Sequence, residues 1–138
     1  MTTEEWRAFV SRGTRTAKVA VARRDGQPIV TPVWFALDGD DIVFTTSASS
    51  LKASALRRDP RLALCVDDDR PPFSFVSIQG AVTLSDDLAE VRRVATVVGG
   101  RYMGAEQAEA FGVRNGVPGE LAVRVRLAHV TALADIAD

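Results

Sequence analysis

Alternation of hydrophobic and polar positions predicts a mainly β protein. In segment 28–37, Ile29, Thr31, Val33, Phe35 and Leu37 share one face of a strand, and segment 120–133 begins with the same period of two. Apolar runs bounded by turn residues predict further strands over 17–24, 42–46, 61–67 and 73–85. The turns at 25–26 and 38–40 then join the first three strands into a meander.

Pro32 and two other signals modify this picture. Proline cannot donate to a β ladder, so Pro32 predicts an edge, a bulge or a break in the second strand. Apolar residues three and four apart predict an amphipathic helix over 87–102, whose end Gly99 and Gly100 weaken. Shorter helices are expected over 4–11, 51–58 and 105–111. This order predicts one domain over 1–138, a closed or partly closed antiparallel barrel.

Charge and length exclude several function classes. The 138 residues carry a net charge of −1, which argues against a nucleic-acid or anionic-membrane partner. No apolar run approaches the ~20 residues of a membrane span, and the first residues lack a secretion signal, so we expect a cytoplasmic protein. Cys65 is the single cysteine, inside an apolar run, and is interpreted as a small buried side chain rather than a reactive thiol.

No catalytic side chains are predicted. His129 is the only histidine and has no placed acid or nucleophile, so we interpret it as a core or rim residue. The aspartates at 67–69 are interpreted as a solvated loop, and no cluster suits a metal ion. Glycine-rich nucleotide motifs are also missing. Hydrolysis and phosphoryl transfer therefore have no candidate machinery.

The strongest chemical signal is a hydroxyl-rich segment that ends in a lysine. It lies where a strand passes into a helix, and it contains Thr45, Thr46, Ser47, Ser50 and Lys52. A helix N-terminus, hydroxyl groups and an ammonium suit a phosphate, although serine and threonine also cap helices without any ligand. Lys18 is the only other lysine. The aromatic residues Trp34, Phe35, Phe73 and Phe75 offer either core packing or flat surface for a ring.

Several motifs together resemble the pyridoxamine 5'-phosphate oxidase-like split-barrel superfamily. They are TPVWF at 31–35, DGDD at 38–41, FTT at 44–46 leading to Lys52, and LRRDPR at 56–61. RYMG at 101–104 and VPGE at 117–120 are similar to the actinobacterial branch that uses the deazaflavin coenzyme F420. The resemblance covers nearly the whole chain and implies an antiparallel split β-barrel, the FMN-binding split-barrel fold.

The resemblance also implies a function and a site. It implies a homodimer with two cofactor sites at the interface, with the ring beside Thr31, Pro32, Val33 and Trp34. Thr45, Thr46, Ser47, Ser50 and Lys52 would hold the phosphate or ribityl chain, and Phe73 and Phe75 of the other subunit would line the ring pocket. Many members carry a basic residue at position 50, which is serine here.

Three functions remain open at this point, beside a purely structural dimer that binds no ligand. The first is an F420-dependent oxidoreductase that transfers a hydride to a small unsaturated organic substrate. The second is an FMN-binding oxidase or reductase of the same fold. The third is a cofactor-binding protein without turnover, because the missing acid–base residues suit a carrier as well as a reductase.

Overall fold

Seven strands and four α-helices make up the fold of the computed structural model, which describes all 138 residues. The strands are β1 (Ala17–Ala22), β2 (Pro28–Val33), β3 (Ala36–Asp38), β4 (Asp41–Ser47), β5 (Arg61–Asp68), β6 (Ser74–Ser85) and β7 (Glu120–Leu133). The helices are α1 (Thr3–Ser11), α2 (Leu51–Arg58), α3 (Leu88–Met103) and α4 (Ala108–Asn115), with one 3₁₀ turn at Ala105–Gln107. The predicted mainly β class with a few helices is confirmed.

All strands belong to one antiparallel sheet in the order β2-β1-β5-β6-β7-β4-β3. One face of this sheet encloses a core that draws Val19 from β1 and Phe44 from β4, although several strands separate these two elements along the sheet. The sheet must therefore curl around the core, as a split barrel does. α1 covers one end of the core with Trp6, Phe9 and Val10.

The predicted three-strand meander is wrong. β1 and β2 form a hairpin, and β3 and β4 form another, but β2 and β4 lie at different ends of the sheet order. The expected strand over 28–37 is two strands, interrupted at Trp34 and Phe35. Pro32 lies in β2, an edge strand that pairs only with β1, which is one of the positions that its proline predicts.

α3 and α4 form a tightly packed pair on the opposite face of the sheet. Val91, Val94 and Val98 of α3 pack with Val43 of β4 and Ala122 of β7. Glycines lie between the helices: a Cβ added at Gly99 would collide with Phe111, and one at Gly112 would collide with Thr96. The glycines at 99–100 therefore do not end α3, which continues to Met103; they allow α4 to approach it.

Two single-residue expectations need adjustment, and the core alternative for His129 is wrong. Cys65 is half-buried rather than buried, and partial burial with the nearby Asp67 charge raises the pKa of its thiol. His129 is exposed on β7, outside the core. Phe73 precedes β6 and has a positive φ of 63°, so the strand begins one residue later than predicted. No helix combines the length and the apolar character needed to cross a membrane.

Candidate functional site

The segment that joins β4 to α2 uses most of its hydroxyl groups internally. The Ser50 hydroxyl accepts a hydrogen bond from the Ala53 N–H at 3.0 Å, which makes Ser50 the N-cap of α2. The Thr46 and Ser50 hydroxyls lie 3.1 Å apart, and those of Ser47 and Ser49 lie 3.0 Å apart. Helix capping is therefore a real role of this segment, and Ser50 carries it.

Neighbouring threonines of β4 face opposite sides of the sheet. Thr46 is buried with the side chains of the barrel core, where its hydroxyl bonds to Ser50. Thr45 lies on the other side, the side that α3 covers, and it remains half-buried. The alternation of a strand thus separates two residues that the sequence analysis grouped together. Thr45 is the one available to a molecule between β4 and α3.

Lys52 supplies an unneutralised cation next to Thr45. It lies in the first turn of α2, half-buried, and its Nζ donates to the Thr31 Oγ1 at 2.9 Å. No carboxylate lies within 4.0 Å, and burial lowers the pKa of the ammonium. Lys18, by contrast, forms an ion pair with Asp67 at 3.0 Å. A partly desolvated ammonium without a counter-charge favours an anionic ligand.

Lys52 and Thr45 line a cavity of about 280 Å³ between β2, β4, α2 and the α3–α4 pair. Its lining residues are Pro32, Val33, Trp34, Thr45, Lys52, Ala95, Val98, Gly99 and Asn115. Five of these were predicted from the sequence, and Thr31 adjoins the cavity through its hydrogen bond to Lys52. Because the lining contains no carboxylate, imidazole or thiol, it offers binding groups and no acid–base pair.

Trp34 forms an aromatic wall of this cavity. Trp34 is 38% exposed, and its ring stacks on Tyr102, with ring centroids 5.0 Å apart and planes 6° apart. The ring centroid of Phe111 lies 6.1 Å from that of Trp34. The Tyr102 hydroxyl donates to the Arg15 carbonyl at 2.7 Å and accepts from the Phe35 N–H at 3.3 Å. Burial raises the pKa of this phenol, so Tyr102 stays protonated and fixes the position of the wall.

Six predicted residues lie outside the lining of the cavity: Thr31 and Thr46, described above, and Ser47, Ser50, Phe73 and Phe75. Ser47 ends β4 and Ser50 is the N-cap of α2, and both are engaged in the bonds described above. Phe73 is 41% exposed before β6, and its carbonyl accepts from the Ile136 N–H at 2.9 Å. Phe75 pairs with Asp67 and Leu133 across β6. The assignment of Phe73 and Phe75 to the ring pocket of a second subunit stays a prediction.

Basic groups near position 50 do not point to a second anchor. Arg57 donates to the Ala48 carbonyl at 2.8 Å, and Arg58 donates to the Ala22 carbonyl. Both side chains are exposed and bind backbone rather than the cavity. Lys52 is therefore the only charged side chain in the lining.

The residues of α3 and α4 that line the cavity were not predicted from the sequence. Ala95, Val98 and Gly99 belong to the three-and-four spacing that predicted α3, but nothing in that spacing shows which part of the helix meets the cavity. Asn115 is the only asparagine of the chain, in the last turn of α4.

A larger hollow of about 530 Å³ on the outer sheet face has mostly apolar walls, and its one cation, Arg61, is paired with Asp59 at 2.9 Å.

Comparison with known proteins bears on the family and the fold of the chain. No curated protein matches the chain in sequence. Among solved structures, the conserved hypothetical protein Rv2991 from Mycobacterium tuberculosis is 28% identical, with a TM-score of 0.85, 98% of this chain covered and 86% of that chain. A protein described as an F420 reductase is 23% identical (TM-score 0.70; 90% and 94% covered). The heme storage protein HutZ from Vibrio cholerae is 14% identical (TM-score 0.72; 95% and 94% covered).

The last two similarities, at under 25% identity, show the fold alone. The profile of the pyridoxamine 5'-phosphate oxidase family, however, matches residues 2–134, which is nearly the whole chain. It therefore spans every strand of the sheet and every residue of the cavity lining. The chain belongs to the pyridoxamine 5'-phosphate oxidase family.

Proposed function

We propose that this chain is an oxidoreductase that binds the deazaflavin coenzyme F420 in the cavity beside Lys52. The observation that carries the proposal is the half-buried Lys52 ammonium, which has no carboxylate partner and shares the cavity with the Thr45 hydroxyl and the Trp34 wall. A cation at one wall and flat apolar surface at another fit a molecule that joins a phosphate to a ring system.

The chain's own residues would bind and orient such a cofactor. Lys52, held by Thr31 at 2.9 Å, would meet the phosphate together with the N-terminus of α2, where helical N–H groups lack intrahelical partners. Thr45 would donate a further hydrogen bond, and the segment from Pro32 to Trp34 would lie along the ring. When bound, the reduced deazaflavin supplies a hydride to an electron-poor organic substrate.

The absence of acid–base residues from the lining fits hydride chemistry. Tyr102 is tied to two backbone groups and its pKa is raised, so it offers no base. Thr45 and Lys52 are the only side chains of the lining that carry a hydroxyl or a charge. The protein's contribution is then to position the cofactor and to exclude water from one side of it.

The size of the cavity supports the proposal of a homodimer. Sites for cofactor-sized molecules usually enclose ~300–1,000 Å³, and the cavity of one chain provides about 280 Å³. A second subunit would supply the missing walls, and we propose Phe73 and Phe75 as its contribution. Sedimentation equilibrium with and without cofactor tests the assembly: a monomer that binds cofactor fully would contradict it.

Titration of the purified protein with F420 and with FMN, followed by absorption and fluorescence, tests the cofactor. We expect saturable F420 binding. Tight FMN binding without F420 binding would contradict the deazaflavin assignment and favour the FMN-dependent alternative.

A carrier without turnover is the second candidate, and it is favoured by the lack of acid–base groups in the lining. The fold is compatible with such a role, since HutZ is described as a heme storage protein. Oxidation of reduced F420 over a panel of enones and quinones separates the two functions once binding is shown. Turnover of one of these substrates supports an enzyme, and binding without turnover across the panel supports a carrier.

A further inference from the structure

We propose that Asn115 is a cofactor-binding residue, and that its carboxamide hydrogen-bonds the uncharged hydroxyl chain that adjoins the phosphate. The proposal rests on the proposed function, because it concerns the same cavity. Asn115 lines that cavity together with Lys52 and Thr45.

No structural role within the chain explains why residue 115 is an asparagine. It makes no hydrogen bond within the chain, although it is half-buried. Asparagine often ends a helix in the left-handed conformation, but Asn115 has a negative φ and Gly116 is the C-cap of α4. Asparagine is also a poor helix former. A half-buried amide that neither caps nor bonds is therefore available to a ligand.

The helical pair holds Asn115 in place. Phe111 lies one turn before Asn115 on the same face of α4, and it packs against Gly99, which itself lines the cavity. Gly116, on the other side of Asn115, packs against the backbone of Arg92. Phe111 also contacts Trp34, with ring centroids 6.1 Å apart. The close contacts at Gly99 and Gly116 leave α4 no room to shift. The amide is therefore presented from a fixed position, which lowers the entropy cost of binding.

The chemistry of the amide assigns it to an uncharged group. A carboxamide offers two donors and one acceptor oxygen, which match hydroxyls that both donate and accept. A phosphate accepts only, and the Lys52 ammonium already serves it from the same cavity. In a cofactor of this class, the group next to the phosphate is the ribityl chain, which carries several hydroxyls.

Dissociation constants of full-length Asn115→Leu for F420 test this assignment, with orthophosphate as a competing anion. Leucine keeps the branched shape, the number of heavy atoms and the helix while it removes the amide. We expect F420 affinity to fall about 3- to 10-fold, as for the loss of one neutral hydrogen bond, with the inhibition constant of orthophosphate unchanged. Gln107→Leu removes an exposed carboxamide outside the cavity and should bind F420 like the wild type.

Each other result overturns the assignment. Unchanged F420 affinity in Asn115→Leu, with the wild type binding normally, contradicts the role of Asn115 alone. An equal loss for F420 and orthophosphate places Asn115 in the anion site instead. A wild-type protein that binds neither F420 nor FMN contradicts the proposed function and this inference together. Asn115→Gln, which retains the amide on a longer stem, provides a second variant if the leucine variant unfolds.

Discussion

Arg101 connects three separate parts of the chain, and its replacement gives a sharp test of the fold around the cavity. Its guanidinium donates to the carbonyls of Val10 at 2.7 Å, Phe35 at 2.8 Å and Gly13 at 3.2 Å. It also lies 4.5 Å from the centroid of the Phe35 ring. These contacts fasten the end of α1 and the interruption between β2 and β3, where Trp34 leaves the sheet.

The magnitude follows from those three hydrogen bonds. Hydrogen bonds from a charged donor contribute about 1.5–3 kcal/mol each, and the burial that lowers the pKa of Arg101 offsets part of the sum. We therefore expect Arg101→Met to reduce the free energy of unfolding by about 3 kcal/mol. Arg101→Lys keeps a charge but not the planar fork, so it should lose about 2 kcal/mol.

Equilibrium urea unfolding measures these losses. With a slope of about 2 kcal/mol per molar, the midpoint of Arg101→Met should fall by about 1.5 M at unchanged slope. Arg126→Met removes an exposed arginine of β7 and should stay within about 0.5 kcal/mol of the wild type. A midpoint shift for Arg101→Met no larger than that of Arg126→Met would refute the reasoning, because water would then replace the guanidinium without cost.

Two further predictions concern neighbours of the cavity. Tyr102→Phe keeps the stack on Trp34 but loses both hydrogen bonds of the hydroxyl, so it should lower the free energy of unfolding by about 1–2 kcal/mol with little change in Trp34 fluorescence. Tyr102→Leu removes the stacked ring and should shift the Trp34 emission to the red. An equal emission maximum for the wild type and both variants would contradict the stack. Asp38 accepts from Arg93 and Arg124, mainly Arg124, and these bonds lower its pKa. The stabilisation by Asp38 is therefore present above the unfolded pKa near 3.8 and is lost as pH falls through the folded pKa. In urea unfolding, Asp38→Asn should lower the free energy of unfolding by about 1 kcal/mol at pH 7 and by progressively less below pH 4. A difference between the two proteins that is constant with pH would count against the linkage.

Local patterns predicted most elements but not their arrangement. The alternation in 120–133 and the three-and-four spacing in 87–102 gave β7 and α3 nearly to the residue, because each depends on burial of one face. The sheet order was not predictable in this way. Whether β4 pairs with β2 or with β7 depends on contacts between distant parts of the chain, and both pairings satisfy the same alternation.

The site shows the same division between local and distant signals. Lys52 and Thr45 were found because hydroxyls and a cation cluster at a strand-to-helix junction. The partner that orients Lys52, Thr31, lies 21 residues away, and no pattern links the two. The position of Asn115 at the cavity depends on close packing at the glycines between α3 and α4. Two of these, Gly99 and Gly100, were predicted only to weaken the end of a helix. Groups that arrive by tertiary packing were therefore the ones missed.

Lys52→Ala, compared with Lys18→Ala, tests the central claim most directly. Lys18 is the other lysine and pairs with Asp67 away from the cavity, so it controls for the loss of a positive charge. If Lys52 binds the phosphate of F420, its removal should cost about 1.5–3 kcal/mol, or about 10- to 150-fold in the dissociation constant, while Lys18→Ala stays within about twofold of the wild type. An F420 dissociation constant for Lys52→Ala equal to that of the wild type would contradict the account.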